Sequence, residues 1–176
     1  AGAIRPPFFF AATAGRMTAM TETPALTIVP YRPAHRAAWQ ALNEGWLAAG
    51  GFAVEGKDRA VIDDPEGVVL ASGGHIFIAE REGQAVGCCA LLPMADGGWE
   101  VAKMTVAPAA RSLGLARRLL EACEATARAA GAHRLYLETS STLAPARALY
   151  DRFGFTPLPP APSPYVRCDV WMEKRL

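Results

Sequence analysis

The sequence predicts a mixed α/β (α+β) fold with a mostly antiparallel central sheet flanked by about four helices. Three observations predict it. Strand-like runs follow one another through short turns between residues 75 and 106, the pattern of an antiparallel meander. The periodicity then switches to helical spacing and back to alternation, the pattern of a βαβ unit. A chain of 176 residues that is 51% hydrophobic and 20% charged is long enough for one buried core and is not a disordered polymer. No internal repeat or linker divides it, so residues 25–176 read as one domain.

Leu26 to Tyr31 is a short apolar run that ends near Pro33, a first strand. Ala34 to Ala49 places Ala38, Leu42 and Trp46 at helical spacing, with Trp39 beside them, and stops at Gly50-Gly51. Gly56 to Leu70 has helical tendency broken by Asp63-Asp64-Pro65. His75 to Glu80 and Gln84 to Pro93 are strands joined through Arg81-Glu82-Gly83, a hairpin. Ala95 to Gly98 is a turn, and Trp99 to Val106 completes the meander. Gly114 to Ala130 is an amphipathic helix: Ala116, Leu119, Leu120, Cys123, Ala127 and Ala130 share a face, and Gly131 stops it. Arg134 to Thr139 alternates as a strand. Pro145 to Phe153 is a short helix closed by Gly154, and Pro157 to Pro164 is a loop. Val166 to Met172 reads as a last strand with Val166, Cys168, Val170 and Met172 on one face.

Charge excludes some functions. Lys+Arg 18 against Asp+Glu 17 leaves +1, and no basic patch with interleaved aromatics appears, so neither nucleic acid nor an anionic membrane is an expected partner. The basic residues are 15 Arg and 3 Lys, and 35 residues are Ala, a skew that resembles coding bias. No apolar run reaches the ~20 residues of a membrane helix. Cys88, Cys89, Cys123 and Cys168 form no CxxC, and His35, His75 and His133 lie far apart, so reduced thiols, a cytoplasmic location and no metal are expected. Cys88 and Cys89 lack the setting of a nucleophile, and His75 reads as structural. Residues 1–24 read as a poorly ordered tail, with a native start near Met17 or Met20.

The chemistry lies where a strand ends at Val106 and a long helix begins at Gly114. A helix N-terminus presents unpaired N–H groups and the positive end of the macrodipole, so it holds phosphates. Gly114 and Ala116 let an anion approach the backbone, and Arg111, with Arg117 or Arg118, adds charge. Neither GxxxxGK[ST] nor GxGxxG is present, so nucleotide-hydrolase and dinucleotide loops are disfavoured.

What stands there is R-x-x-G-x-A, Arg111-Ser112-Leu113-Gly114-Leu115-Ala116. It resembles the acyl-CoA motif of the GCN5-related N-acetyltransferase (GNAT) superfamily. Ala146 to Phe155 is similar to that family's A-x-x-L-Y-x-x-x-G-F. The likeness extends from about Thr27 to Leu176, and Glu100 to Val106 with Tyr165 to Asp169 resemble a small bacterial subgroup. The resemblance implies a V-shaped splay between the fourth and fifth strands. It implies that Met104, Thr105 and Val106 bond the pantetheine arm, and that Arg111, Ser112, Leu113, Gly114, Leu115, Ala116 and Arg117 cradle the pyrophosphate of acetyl-CoA. Tyr150 then protonates the leaving thiolate, Glu100 deprotonates the amine, and the Val106 N–H polarises the carbonyl. Glu138 and Asp169 are substitutes for Glu100, and simple alternation puts Lys103 on the other face.

Many members carry an asparagine seven residues before the helix tyrosine, where this chain has Leu143; Ser140, Ser141 or Thr142 takes that place. The implied reaction moves an acetyl group from acetyl-CoA to a primary amine of a small molecule or peptide, by direct attack in a ternary complex. The alternative is an acyl-CoA-binding sensor without catalysis. Arg32, Arg36, Arg81, Arg167 and Asp169 are candidates to line the acceptor site, and Arg167 would suit a carboxylate. A homodimer through the last strand's edge or the open hairpin stays open.

Overall fold

The computed structural model describes residues 25–176, so the expected tail lies outside the described residues. Strands β1 (Leu26–Pro30), β2 (His75–Arg81), β3 (Gln84–Pro93) and β4 (Trp99–Val106) pair antiparallel in sequence order. Strand β5 (Arg134–Thr139) lies parallel to β4, β7 (Val170–Arg175) runs antiparallel to β5, and the short β6 (Thr156–Pro157) closes that edge. The sheet order is therefore β1-β2-β3-β4-β5-β7-β6. Helices α1 (Arg36–Ala49), α2 (Gly56–Asp63), α3 (Leu115–Ala129) and α4 (Ala144–Phe153) cover it.

Period-two alternation decides which helix covers which face. Along β3, Cys89 and Leu91 point to one side, into a cluster with Leu115, Leu119, Leu120, Cys123 and Ala127 of α3 and with Tyr150 and Phe153 of α4. Cys88 and Ala90 point to the other, into a cluster with Trp39 of α1 and Val61 of α2. Each fully buried Leu or Val removes enough apolar surface to contribute about 2 kcal/mol. Both clusters are built on one sheet, so the strands between them cannot slip register without exposing a whole face.

Two departures from simple strand geometry shape the site. β4 and β5 pair only at Trp99–Leu135 and Glu100–Tyr136; beyond those positions the two parallel strands separate. Opposite β3, β4 carries a bulge: Cys88 aligns with Thr105 but Ala90 aligns with Ala102, so Lys103 and Met104 together face Cys89. Lys103 adopts φ +52° there. A left-handed backbone costs a non-glycine residue about 1–2 kcal/mol, so neighbouring interactions must hold it.

The structure corrects the last strand. It begins at Val170, not Val166, and runs to Arg175. Val166 is 96% exposed, and residues ahead of Val170 turn toward α2 because the Val166 N–H and the Arg167 guanidinium bond Glu55, and Arg167 also bonds Asp58. The broken helical stretch resolves into α2 and a single π-helical turn, Glu66–Leu70, on either side of Pro65. The first helix gains a 3-10 turn, Pro33–His35, ahead of α1.

Candidate active site

The mouth of the site is made of backbone. Ala107 leads into a 3-10 turn, Pro108–Ala110, after which Ser112 (φ +65°) and Gly114 (φ +73°) turn the chain into α3. No side chain caps α3; its first internal bond runs from the Arg118 N–H to the Gly114 carbonyl. The N–H groups of the first turn are therefore left for a ligand, at the positive end of the macrodipole. Arg111, Ser112, Leu113 and Gly114 are exposed. Leu115 has only its N–H to offer, because its side chain is buried in the α3 core. Arg117 pairs with Glu121 at 2.9 Å along the helix. Arg118 is committed elsewhere: its guanidinium donates to the Leu26 carbonyl at 2.8 Å and ties β1 down. Arg111 lines a groove between α1 and the end of β4, with Leu42, Gly45, Trp46, Thr105 and Val106.

The groove shares Trp46 with a pocket set in the β4–β5 gap. Residues 100–104 of β4 form one wall; Glu138, Thr139 and Ser140 at the end of β5 form the opposite one. Tyr150 of α4 and Cys168 close the sides. The bulge sets the chemistry of the β4 wall. The carbonyls of Ala102 and Lys103 accept from the thiols of Cys89 and Cys88 on β3, at 3.6 and 3.7 Å. A planar trans peptide points its N–H opposite its carbonyl, so the N–H groups of Lys103 and Met104 both face the gap. A regular strand would send only one of two successive N–H groups that way.

Glu100 and Tyr150 share this pocket. Burial raises the Glu100 carboxyl above its ordinary pKa, Lys57 at 3.9 Å opposes that, and Glu138 adds to it. Burial also keeps the Tyr150 hydroxyl protonated, pushed above the usual phenol range and further by Cys89, Cys123 and Cys168. Glu138 accepts from the Tyr136 hydroxyl at 2.9 Å and from the Ser163 hydroxyl. Ser140 is buried at the head of α4, where its hydroxyl meets that of Thr142 at 2.9 Å and Leu143 donates to its carbonyl. Cys168 is half-buried, and its thiol is pushed up to about 11 by burial, against the pull of Arg167.

Behind the pocket lies a charge cluster centred on Asp58, which is fully buried in the first turn of α2. Arg167 grips it with two N–H groups, at 2.7 and 2.8 Å, and also reaches Glu55 at 3.0 Å. The Lys103 ammonium bonds the same carboxylate and the Tyr165 hydroxyl, the latter at 3.1 Å. The Glu55 N–H donates to it at 3.0 Å. Burial alone would raise the Asp58 pKa; Arg167, Lys103 and the Glu55 N–H outweigh it and hold the carboxyl below its ordinary value. Arg167 also lies over the Tyr165 ring, 4.3 Å from its centroid.

These contacts revise several sequence expectations. Lys103 does share a side with Glu100: one bonds Asp58 and the other pairs with Lys57, both on α2. Alternation fails because the bulge inserts a residue. Arg167 reaches the pocket with its guanidinium already engaged by Asp58 and Glu55. Arg32 bonds Glu80, Arg36 pairs with Glu66, and neither of them nor Arg81 lines the pocket. Asp169 accepts from the Ser141 N–H and hydroxyl, at 2.7 and 2.6 Å, and fastens that turn outside the pocket. Sequence reasoning missed Asn43, Tyr165 and Asp58. Buried Asn43 donates to the Trp39 carbonyl at 2.9 Å and lines the pocket. Its i, i+4 spacing from Trp39 within a helix was the available signal.

A sheet parted between two parallel strands, with an uncapped glycine-led helix at the end of one of them, defines an acyltransferase architecture. The chain belongs to the acetyltransferase (GNAT) family, whose model matches residues 34–155. Among similar proteins, an IAA acetyltransferase of Azospirillum brasilense is 42% identical over 107 residues, which covers 58% of this chain and 68% of that protein. The uncharacterized N-acetyltransferase YjgM of Escherichia coli (strain K12) is 35% identical over 114 residues, 61% of this chain and 68% of that one. A GNAT acetyltransferase of Staphylococcus aureus Mu50 superposes with TM-score 0.79 at 19% identity, covering 86% of this chain and 99% of the other. A GNAT acetyltransferase of Elizabethkingia anophelis with acetyl-CoA bound gives TM-score 0.63 at 19% identity, covering 86% and 98%.

Proposed function

We propose that the protein transfers the acetyl group of acetyl-CoA to a primary amine of a small molecule or peptide, by direct attack in a ternary complex. One observation carries this reading: Glu100 and Tyr150 line the same pocket, whose β4 wall turns two amide N–H groups inward. Family membership supports acetyl-CoA as the donor, with the pyrophosphate at the start of α3.

An alkylammonium with pKa about 10 is protonated at neutral pH and cannot attack a thioester. Glu100 takes that proton, directly or through one water, and its raised pKa makes it a stronger base than an exposed carboxylate. The amine nitrogen then bonds the thioester carbon. Charge gathers on the carbonyl oxygen, which the Lys103 and Met104 N–H groups meet, the role that the family resemblance implied for the Val106 N–H. As the C–S bond breaks, Tyr150 gives its proton to the thiolate of CoA, and the proton shed by the attacking nitrogen returns to the Tyr150 oxygen through water. The products are the amide and the free thiol.

The test is CoA thiol release from acetyl-CoA across a panel of primary amines. Amine-dependent release, one thiol for each amide formed, is expected. Acetyl-CoA binding by calorimetry with no amine-dependent release would leave only a binding module.

A further inference from the structure

We propose that Asp58 is a positioning residue for acyl transfer: through Lys103 it holds the β4 bulge in the left-handed geometry that turns two amide N–H groups into the β4–β5 gap. This rests on reading that gap as the acyl-transfer site. Lys103 stands at φ +52°, a conformation that L side chains rarely adopt, and its side chain is 7% exposed. Among the described residues, its ammonium bonds two groups, the Asp58 carboxylate and the Tyr165 hydroxyl. Asp58 does not line the pocket; it sits on α2, tied to the Glu55 N–H in the same helical turn. It therefore reaches the gap only through what it grips. An α2 that is packed on α1 becomes the anchor, Lys103 the tether, and the bulge the part held in place. The same carboxylate secures Arg167, so its removal by itself would not separate the bulge from the Tyr165–Arg167 turn.

Glycine separates them, because it adopts positive φ without a tether. Steady-state kinetics of D58N, K103G, K103A and the double variant D58N/K103G make the experiment. D58N is expected to lower kcat about 30-fold while the KM for acetyl-CoA moves less than about threefold, since α3 is remote from α2. K103G should lose less than K103A, which needs left-handed geometry and has no tether; a gap of about tenfold in kcat is expected. Adding K103G to D58N should restore about tenfold of the lost kcat. Equal kcat for K103A and K103G, or no recovery in the double variant, overturns the proposal, and the first comparison stands even if D58N does not fold. The Cα chemical shift of Lys103 gives a readout independent of turnover: it should leave the left-handed range in D58N, and an unmoved shift also overturns the proposal. A wild-type protein that releases no thiol with any amine would instead overturn the proposed reaction, with the chemical shift still deciding the role of Asp58.

Discussion

The two ends of the β4–β5 gap are built from different materials. At the mouth, the start of α3 offers backbone N–H groups in an exposed turn, shaped by Gly114 and Ser112 at positive φ. At the inner end, side-chain charges from two segments distant in the chain, Lys103 and Arg167, meet on one fully buried carboxylate, Asp58. A backbone site tolerates side-chain substitution and needs little global charge, which is how a chain of net charge +1 can hold a polyanion. A buried charge cluster does the reverse: each member depends on the others, and loss of one partner leaves an uncompensated charge. Donor affinity and transfer geometry should therefore be separable by mutation, with kcat responding at the inner end and KM for acetyl-CoA at the mouth.

The largest effect should come from Tyr150→Phe, which removes the proposed acid and leaves the ring against Phe155. It is expected to lower kcat about 100-fold, with calorimetric affinity for acetyl-CoA within about twofold. A matching loss of affinity would break the division between the two ends. Glu100→Gln should follow, with kcat down about 30-fold. Its pH profile sharpens the assignment. The carboxyl works as a base only when ionised, and burial raises its pKa, so wild-type activity should fall as pH drops through a value above the ordinary carboxylate range. E100Q should lack that acidic limb.

At the mouth the effects shrink and change kind. A Cβ at Gly114 would meet no protein atom within 4 Å, so G114A acts through backbone strain at φ +73° and through the methyl it sets against a bound phosphate. It should raise the KM for acetyl-CoA about tenfold and lower Tm by a few degrees, about 1 kcal/mol of destabilisation. Arg111→Ala should raise the same KM only about threefold, with kcat moved less. A mouth variant that lowers kcat at saturating acetyl-CoA would refute the comparison.

The same contrast explains what the chain disclosed in advance. The geometry of the mouth was legible because the backbone anion site proposed there needs glycine and small residues at fixed spacing beside a helix start, and Arg111 to Ala116 write that spacing out. The meander, α3 and β5 were legible from periodicity, and Tyr150 from its motif. The inner end was not. Arg167 reaches Asp58 across 109 positions, and no local pattern announces such a pair. The alternation of Val166, Cys168, Val170 and Met172 even argued for a strand there, whereas ion pairing bends its first half away from the sheet. The bulge was hidden for a related reason: one inserted residue in β4 inverts the facing of everything after it, and the residue inserted is a lysine rather than a glycine.

The narrow parallel pairing between β4 and β5 also bears on how the chain assembles. Strands β2, β3 and β4 are joined by short turns and need little loop closure, whereas β5 meets β4 at only two positions, 36 residues apart in sequence. That seam is expected to form last and to open first, so amide hydrogen exchange should be fastest along it. A ligand lying in the opening spans both margins of the seam and fastens them, adding RT ln(1 + [L]/Kd) to the folding free energy. The rise in melting temperature with acetyl-CoA would then report how fully the opening is occupied, before any acceptor is known.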